Sequence, residues 1–273
     1  MLGLKAQRFE FQGVEGFRAG IYPGRVNTAC TLYRIGDFLI DTGPPNQWRT
    51  VRRFISERGV QSLLLTHHHE DHAGNARRIH ETTAARVFGH GDSVHLHREG
   101  YQLPFYRRLI WGKPYWGVEP EAFDGDLELS GGVVLRPIHT PGHSEDMTCF
   151  FEPNRGWVFT GDIYVSAQPR LLRNVEDPNQ EIESLKLLLQ LDFSTVFCAH
   201  RGVLEDGVKD IRRKLAYMIE LREGVRELAA KGLSQKEVTR RLLGSESLLS
   251  YFSFFDFSKI NFIRAFWPQD PGD

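Results

Sequence analysis

Residues 66–75 read THHHEDHAGN and directly follow the apolar run Val60–Leu65. A strand that ends in a tight loop sends alternate side chains to one side, so His67 and His69 share a direction and His68 points away. Asp71 and His72 lie past the turn and reach a neighbouring position. Neutral imidazole nitrogen and anionic carboxylate oxygen at this spacing are the donors preferred by zinc and similar divalent ions. A solvated polar turn, with Asp71 in a helix's first turn facing the macrodipole, is the plainer explanation. Four candidate ligands within six residues argue against it. A register using His68 and Glu70 instead would lose the Asp-His pair and is disfavoured.

Three later positions extend the constellation. His143 stands in TPGHS, Asp162 in FTGD and His200 in CAHRG. Each follows an apolar strand, read at Val133–His139, Trp157–Thr160 and Thr195–Ala199, and loops at strand ends are where sites form. Singly, each histidine is a hydrogen-bonded loop residue and Asp162 a turn former. Jointly they point to a metal centre. The remaining pattern is of alternating α and β elements. Strands at 27–34 and 37–41 make a hairpin, helices run over 46–58, 72–82 and 180–191, and further strands lie at 86–88 and 147–151.

The chain has 273 residues, 41% hydrophobic and 12% aromatic, enough for a full core. Its 34 Lys and Arg against 35 Asp and Glu give no whole-molecule field for nucleic acid or an anionic membrane. MLGLKAQRFEFQG lacks the apolar core of a secretory signal, and no window has the run of about 18 apolar residues of a membrane span. A soluble, cytoplasmic protein with no membrane partner is the expectation. Cys30, Cys149 and Cys198 are odd in number and widely spaced, as reduced thiols are; the latter two sit in apolar runs.

The division expected is a core that carries the metal centre over 1–203, with an aromatic insertion at about 91–131, and a helical C-terminal extension over 204–273 packed on the core. In the insertion, Tyr101, Phe105, Tyr106, Trp111, Tyr115 and Trp116 suit the wall of an apolar acyl pocket or a lid. His95 and His97 alternate like a ligand pair but have no carboxylate set nearby, so surface or lid positions are expected. His80, His90 and His139 are read as structural. In the extension, Ser234 to Glu237 forms a capping-box pattern. The Phe-rich end, residues 251–267, is expected to dock on the core, line a pocket mouth or form a homodimer contact.

In its motifs the sequence resembles the metallo-β-lactamase-fold hydrolases. The His67-x-His69-x-Asp71-His72 signature, then His143, Asp162 and His200, and the early Asp41 in LIDTG occur in that family's order over about residues 25–202. The resemblance implies an α+β fold, a four-layer αββα sandwich, here with the small helical C-terminal extension. It also implies two divalent ions per chain, zinc first, with iron or manganese as alternatives. His67, His69 and His143 would bind one and Asp71, His72 and His200 the other. Asp162 would bridge them and Asp41 would orient a ligand from behind.

Two such ions activate a water for attack on an acyl carbon or phosphorus. Asp71 is placed to handle a proton, and Tyr164 in GDIYV is a candidate oxyanion donor or substrate contact. An Asp at the bridging position argues against a β-lactam substrate, and no counterpart appears of the basic C-terminal glutathione-binding segment of glyoxalase II. Cleavage of an ester, lactone or thioester of a small molecule is therefore expected. The alternative is a phosphodiesterase or endoribonuclease of the same family, with Arg170, Arg173, Arg240 or Arg241 on phosphates. Balanced charge disfavours nucleic acid as a partner. A non-catalytic metal-binding regulatory module is disfavoured because every ligand position is intact.

Overall fold

The structure is a computed structural model, and it describes residues 6–129 and 132–268. Strands β1 (Ala6–Phe11) and β2 (Val14–Gly20) form an N-terminal hairpin, which the sequence reading did not identify. Its turn, Gln12-Gly13, has φ of 50° and 87°, the left-handed geometry that two-residue hairpin turns require. Strands β3 (Ala29–Ile35) and β4 (Phe38–Ile40) form the expected hairpin. Next come α1 (Trp48–Glu57), β5 (Ser62–Leu64), α2 (Glu70–Ala73), α3 (Ala76–Thr83) and β6 (Arg86–Gly89). The insertion carries α4 (Val94–Glu99), α5 (Phe105–Trp111) and β7 (Glu121–Ala122). Seven strands, β1 to β7 in sequence order, make one sheet, antiparallel up to β4 and parallel beyond it.

The chain continues through β8 (Leu127–Glu128), β9 (Val134–His139), β10 (Thr148–Glu152) and β11 (Trp157–Gly161). After β12 (Leu172–Arg173) and α6 (Pro178–Leu188) come β13 (Thr195–Cys198) and β14 (Gly202–Leu204). The second sheet has the order β14-β13-β11-β10-β9-β8. Helices α7 (Gly207–Ala230), α8 (Gln235–Leu243) and α9 (Leu248–Phe252), strand β15 (Phe257–Ser258) and α10 (Lys259–Phe266) complete it.

Two compact units result. The first runs up to Thr140 and includes Glu145–Val165 and Asp192–Gly207; the second is Pro141–Ser144, Ser166–Leu191 and the chain from Val208.

Period-two alternation builds the first unit's two cores. Leu32, Leu39, Leu63, Leu65 and Val87 face one way and meet Val51, Phe54 and Ile55 of α1 and Ala76 and Ile79 of α3. Their neighbours Tyr33, Ile40, Leu64 and Phe88 face the other way and meet Leu135, Phe150, Phe159 and Phe197 of the second sheet. The sheets thus stack face to face. Phe159 and Phe197 stack at 4.5 Å between ring centroids, and Tyr33 sets its edge on both. Burying these rings supplies much of the sheet-to-sheet attraction.

Where one helix was expected over 72–82, the structure has two, broken at Gly74-Asn75. A Cβ at Gly74 would lie 2.3 Å from Glu70 O and 2.6 Å from Pro45 Cγ. The Asn75 side chain donates to Gly43 O at 2.9 Å, and its backbone N–H donates to Thr42 Oγ1 at 3.2 Å. These bonds tie the loop after β4 to the break between α2 and α3.

In the second unit, α10 packs on α6 and α8, with Phe262 and Phe266 buried. Asn261 Nδ2 donates to Leu172, Phe255 and Asp256 carbonyls, and a buried Lys214–Glu181 ion pair joins α7 to α6. The predicted capping box at Ser234 and Glu237 is formed. The Phe-rich end is divided: α10 is internal, whereas Phe254 is 88% exposed.

His97 departs from its expected surface or lid position. It is buried on α4, while His95 is exposed. Ser93 Oγ donates to His90 O and faces His97 Nε2 at 3.4 Å; His97 Nδ1 has no hydrogen-bond partner among the described residues. Burial pushes its pKa down to about 4. The unfolded chain, with an ordinary value of about 6.5, then binds the proton more readily. Stability present above pH 6.5 is lost as pH falls towards 4, by about 1.4 kcal/mol per unit. Urea unfolding at pH 7.5 and 5.0 should show a loss about 2 kcal/mol larger for wild type than for His97→Leu. Equal losses would refute this role.

Candidate metal centre

The centre is assembled from behind. Asp41, the residue after β4, has φ of 62°, a left-handed conformation that a non-glycine residue holds only when its surroundings over-determine it. Its Oδ1 accepts from Thr66 N at 2.9 Å and Thr66 Oγ1 at 3.0 Å, and its Oδ2 faces His72 Nδ1 at 2.8 Å. Thr66 Oγ1, with its proton committed to Asp41, is 3.0 Å from His67 Nδ1 and accepts from it. One carboxylate therefore orients two histidines, His72 directly and His67 through Thr66. Gly161, at the end of β11, has φ of 47°, and a Cβ there would lie 2.9 Å from both Thr66 Cβ and Thr66 Oγ1. Glycine is what lets the Asp162 strand approach the histidine loop.

The first unit gathers the donors Asp71, His72, Asp162 and His200, one ligand atom of each lying within 4.8 Å of the others, with His67 and His69 as a pair on the same loop; His143 belongs to the second unit. His67 Nε2 and His69 Nδ1 are 2.9 Å apart. His143 Nδ1 is 3.2 Å from Glu176 Oε1. Among the four gathered donors, His200 Nδ1 donates to Ala29 O at 2.8 Å. Its Nε2 then carries the lone pair, yet it faces Asp162 Oδ1 at 3.0 Å and Asp71 Oδ2 at 3.5 Å. His72 repeats this: Nδ1 is committed to Asp41, and Nε2 faces Asp162 Oδ1 at 3.3 Å and Asp71 Oδ2 at 3.5 Å.

Lone pairs facing carboxylates repel unless positive charge lies between them. Protons or a metal cation supply it. Burial works against charging His72, but the carboxylates of Asp162, Asp71 and Asp41 outweigh it and raise the His72 pKa well above the usual histidine value. His200 is raised in the same way, burial being outweighed by Asp162 and then Asp71. Asp162 is held well below the carboxylate range, burial being overcome by His200 and His72, and Asp71 is lowered by His72 and His200 against burial. All four are buried. With the outer nitrogens anchored and the inner ones facing carboxylate, this N- and O-donor set fits a divalent ion of the zinc class.

Cys30 Sγ lies 3.9 Å from His72 Nε2, but burial pushes its thiol up to about 12, as suits a packing residue. Cys149 and Cys198 are likewise buried and free of disulfides. Tyr164 is buried two residues beyond Asp162, and its carbonyl accepts from Cys198 Sγ at 2.8 Å. His68 does turn from the donors, with Nδ1 2.8 Å from Asp146 Oδ1. Of the other histidines, His90 and His139 stack at 4.3 Å, and His80 Nδ1 bonds Ala85 O.

Sequence reasoning missed Thr66, Asp146 and Glu176, each of which holds a motif histidine. Thr66 had a visible signal, since it immediately precedes His67 at a strand's end; Asp146 and Glu176 are distant in sequence and had none. Trp111, read only as a pocket wall or lid residue, stands 6.0 Å from His200 between ring centroids.

Comparison with known proteins identifies the family. The family described as the metallo-beta-lactamase superfamily matches residues 23–200. An atrochrysone carboxyl ACP thioesterase of Claviceps purpurea is 26% identical over 79% of this chain and 60% of its own. A hydroxyacylglutathione hydrolase of Methylobacillus flagellatus is 26% identical over 72% of this chain and 67% of its own. The chain thus spans about three-fifths of the length of these curated relatives. A beta-lactamase domain protein of Burkholderia ambifaria superposes with a TM-score of 0.74 at 19% identity, covering 95% of this chain and 87% of that one. The shared fold is the expected α+β, αββα sandwich. No helix among the described residues is long and apolar enough to cross a membrane. With the family matched over most of its length, this chain belongs to the metallo-beta-lactamase superfamily.

Proposed function

We propose that this protein is a binuclear metal-dependent hydrolase that cleaves an acyl bond of a small molecule, a thioester before an ester or lactone. The observation that carries the reading is the buried pair His72 and His200, each anchored through Nδ1 and each presenting Nε2 to Asp162. His67, His69 and His143 would hold one ion and Asp71, His72 and His200 the other, with Asp162 shared between them. Zinc is the leading ion because the donors are imidazole and carboxylate. When bound, two such cations lower the pKa of water and polarise a carbonyl. The chain's own part is positioning. Asp41 and Thr66 fix two ring orientations, Asp71 is assigned the proton released by the attacking water, and Tyr164 is the candidate donor to the developing oxyanion.

The thioester preference follows the relatives, two of which are named as an acyl-carrier thioesterase and a hydroxyacylglutathione hydrolase. The nuclease alternative is weakened at two of its four candidate arginines. Arg170 donates to Leu243 O at 2.8 Å, and Arg173 is paired with Asp256. A parallel screen of zinc-loaded protein against acyl thioesters, aryl esters, lactones, a β-lactam, bis-p-nitrophenyl phosphate and single-stranded RNA tests the assignment. Thioester turnover should exceed every phosphodiester rate. Rapid, salt-sensitive RNA cutting without acyl turnover would overturn it.

A further inference from the structure

Between the proposed ligands His69 and Asp71 stands Glu70, a fully buried carboxylate that is not among the gathered donors. Arg107 of α5 takes it in a two-pronged fork, Nε to Oε1 and Nη2 to Oε2, both at 2.6 Å. Tyr101 adds a hydroxyl bond to Oε2 at 3.2 Å. The two charged side chains are 0% and 7% exposed. Apolar residues of like volume serve stability as well as most buried ion pairs do, so stability alone is a poor account of this one.

Its neighbours supply a better account. Four residues after Arg107, on the same face of α5, Trp111 stands against the ligand His200. The end of α5 is fastened to the loop after Asp41, where Asn46 Nδ2 donates to Ile110 O at 2.8 Å. Gly112, φ 94°, passes so close that a Cβ would lie 2.8 Å from Asn46 N. Meanwhile the motif's other spare donor, His68, is occupied by Asp146.

We infer that α5 is a brace on the metal loop: Arg107 holds Glu70 out of coordination, as Asp146 holds His68, so that HHHEDH offers one ligand register out of two. Arg107 is thus a positioning residue. The inference rests on the binuclear reading above. Without the guanidinium, an uncompensated buried carboxylate would sit between two ligands, where it competes for the cation or turns the loop outwards to reach water.

Cobalt(II) titration of the metal-free protein tests this, followed by competition with a chromogenic chelator and by the visible ligand-field spectrum. Wild type should bind two ions. Arg107→Met should bind cobalt at least about tenfold more weakly, with an altered spectrum, as loss of an outer-shell partner does. Glu70→Gln/Arg107→Met, which removes both charges, should return towards wild type. Should Arg107→Met fail to fold, Arg107→Lys decides, since lysine keeps the charge but loses the planar fork. Wild-type affinity and spectrum in the foldable Arg107 variants would overturn the brace while leaving the centre intact. A double variant as weak as Arg107→Met would also overturn it, because the pair would then be merely structural. Failure of wild type to bind cobalt would overturn the centre itself, and the brace with it.

Discussion

Replacement of Asp162 by alanine is expected to lower hydrolysis by about a thousandfold or more and to leave less than the full complement of metal. Removing one preorganised electrostatic group from an active site costs about a hundred- to a thousandfold, and Asp162 lies at or beyond the upper end because it belongs to the donor set itself. Its carboxylate faces His72 and His200 from within 3.3 Å, so its loss leaves two inward-facing imidazoles with Asp71, 3.5 Å from each, as the remaining carboxylate partner among the described residues. A general collapse is not expected, because Asp41 and the Ala29 carbonyl hold the two rings from behind. The check pairs elemental analysis with acyl turnover for wild type, Asp162→Ala and Asp41→Asn. The Asp41 variant should lose less, since it disturbs ring orientation and removes no donor. Full activity and two ions in Asp162→Ala would mean that the centre is misassigned.

The candidate ligand residues stand out in the sequence for a local reason. Four of them fall within residues 67–72, and His143, Asp162 and His200 lie in the loops that follow β9, β11 and β13, so spacing and strand ends expose them. The fold class could be read as mixed α and β, but its layering came from the resemblance. The N-terminal hairpin escaped notice because β1 lies at a sheet edge and is half-exposed, which leaves little contrast between its faces. Helices α4 and α5 have six and seven residues, too few turns for a period to show among glycines and prolines. The partners that steer the motif are 25, 37 and 78 residues away from the residues they hold: Thr66 with Asp41, Glu70 with Arg107 and His68 with Asp146. Such pairs exist only once the chain has closed, and no local rule reports them.

Stripping the metal is expected to lower the thermal midpoint by roughly 10 °C, and the gap should widen as pH rises. A ligand present at a thousand times its dissociation constant contributes about 4 kcal/mol, and each kcal/mol is worth about 2–4 °C in a protein of this size class. The pH dependence has a definite sign. In the metal-free protein the raised pKa values of His72 and His200 mean that folding favours their protonated forms. That contribution is fully present below the unfolded histidine value of about 6.5 and disappears as pH climbs through the raised folded values. The lowered carboxylates Asp71 and Asp162 act in the opposite sense, but their contribution is complete above an unfolded value of about 3.9 and is flat across neutral pH. Metal-free protein should therefore lose stability as pH rises above the ordinary histidine value of about 6.5. Loaded protein should not, because a cation in place of the protons keeps both imidazoles neutral and both carboxylates paired. Calorimetric scans of zinc-loaded and chelator-stripped protein at pH 6.5, 7.5 and 8.5 test both parts. Coincident midpoints at all three values would show that these four buried donors hold no cation, whereas a constant gap would show that something other than His72 and His200 carries the positive charge in the metal-free state.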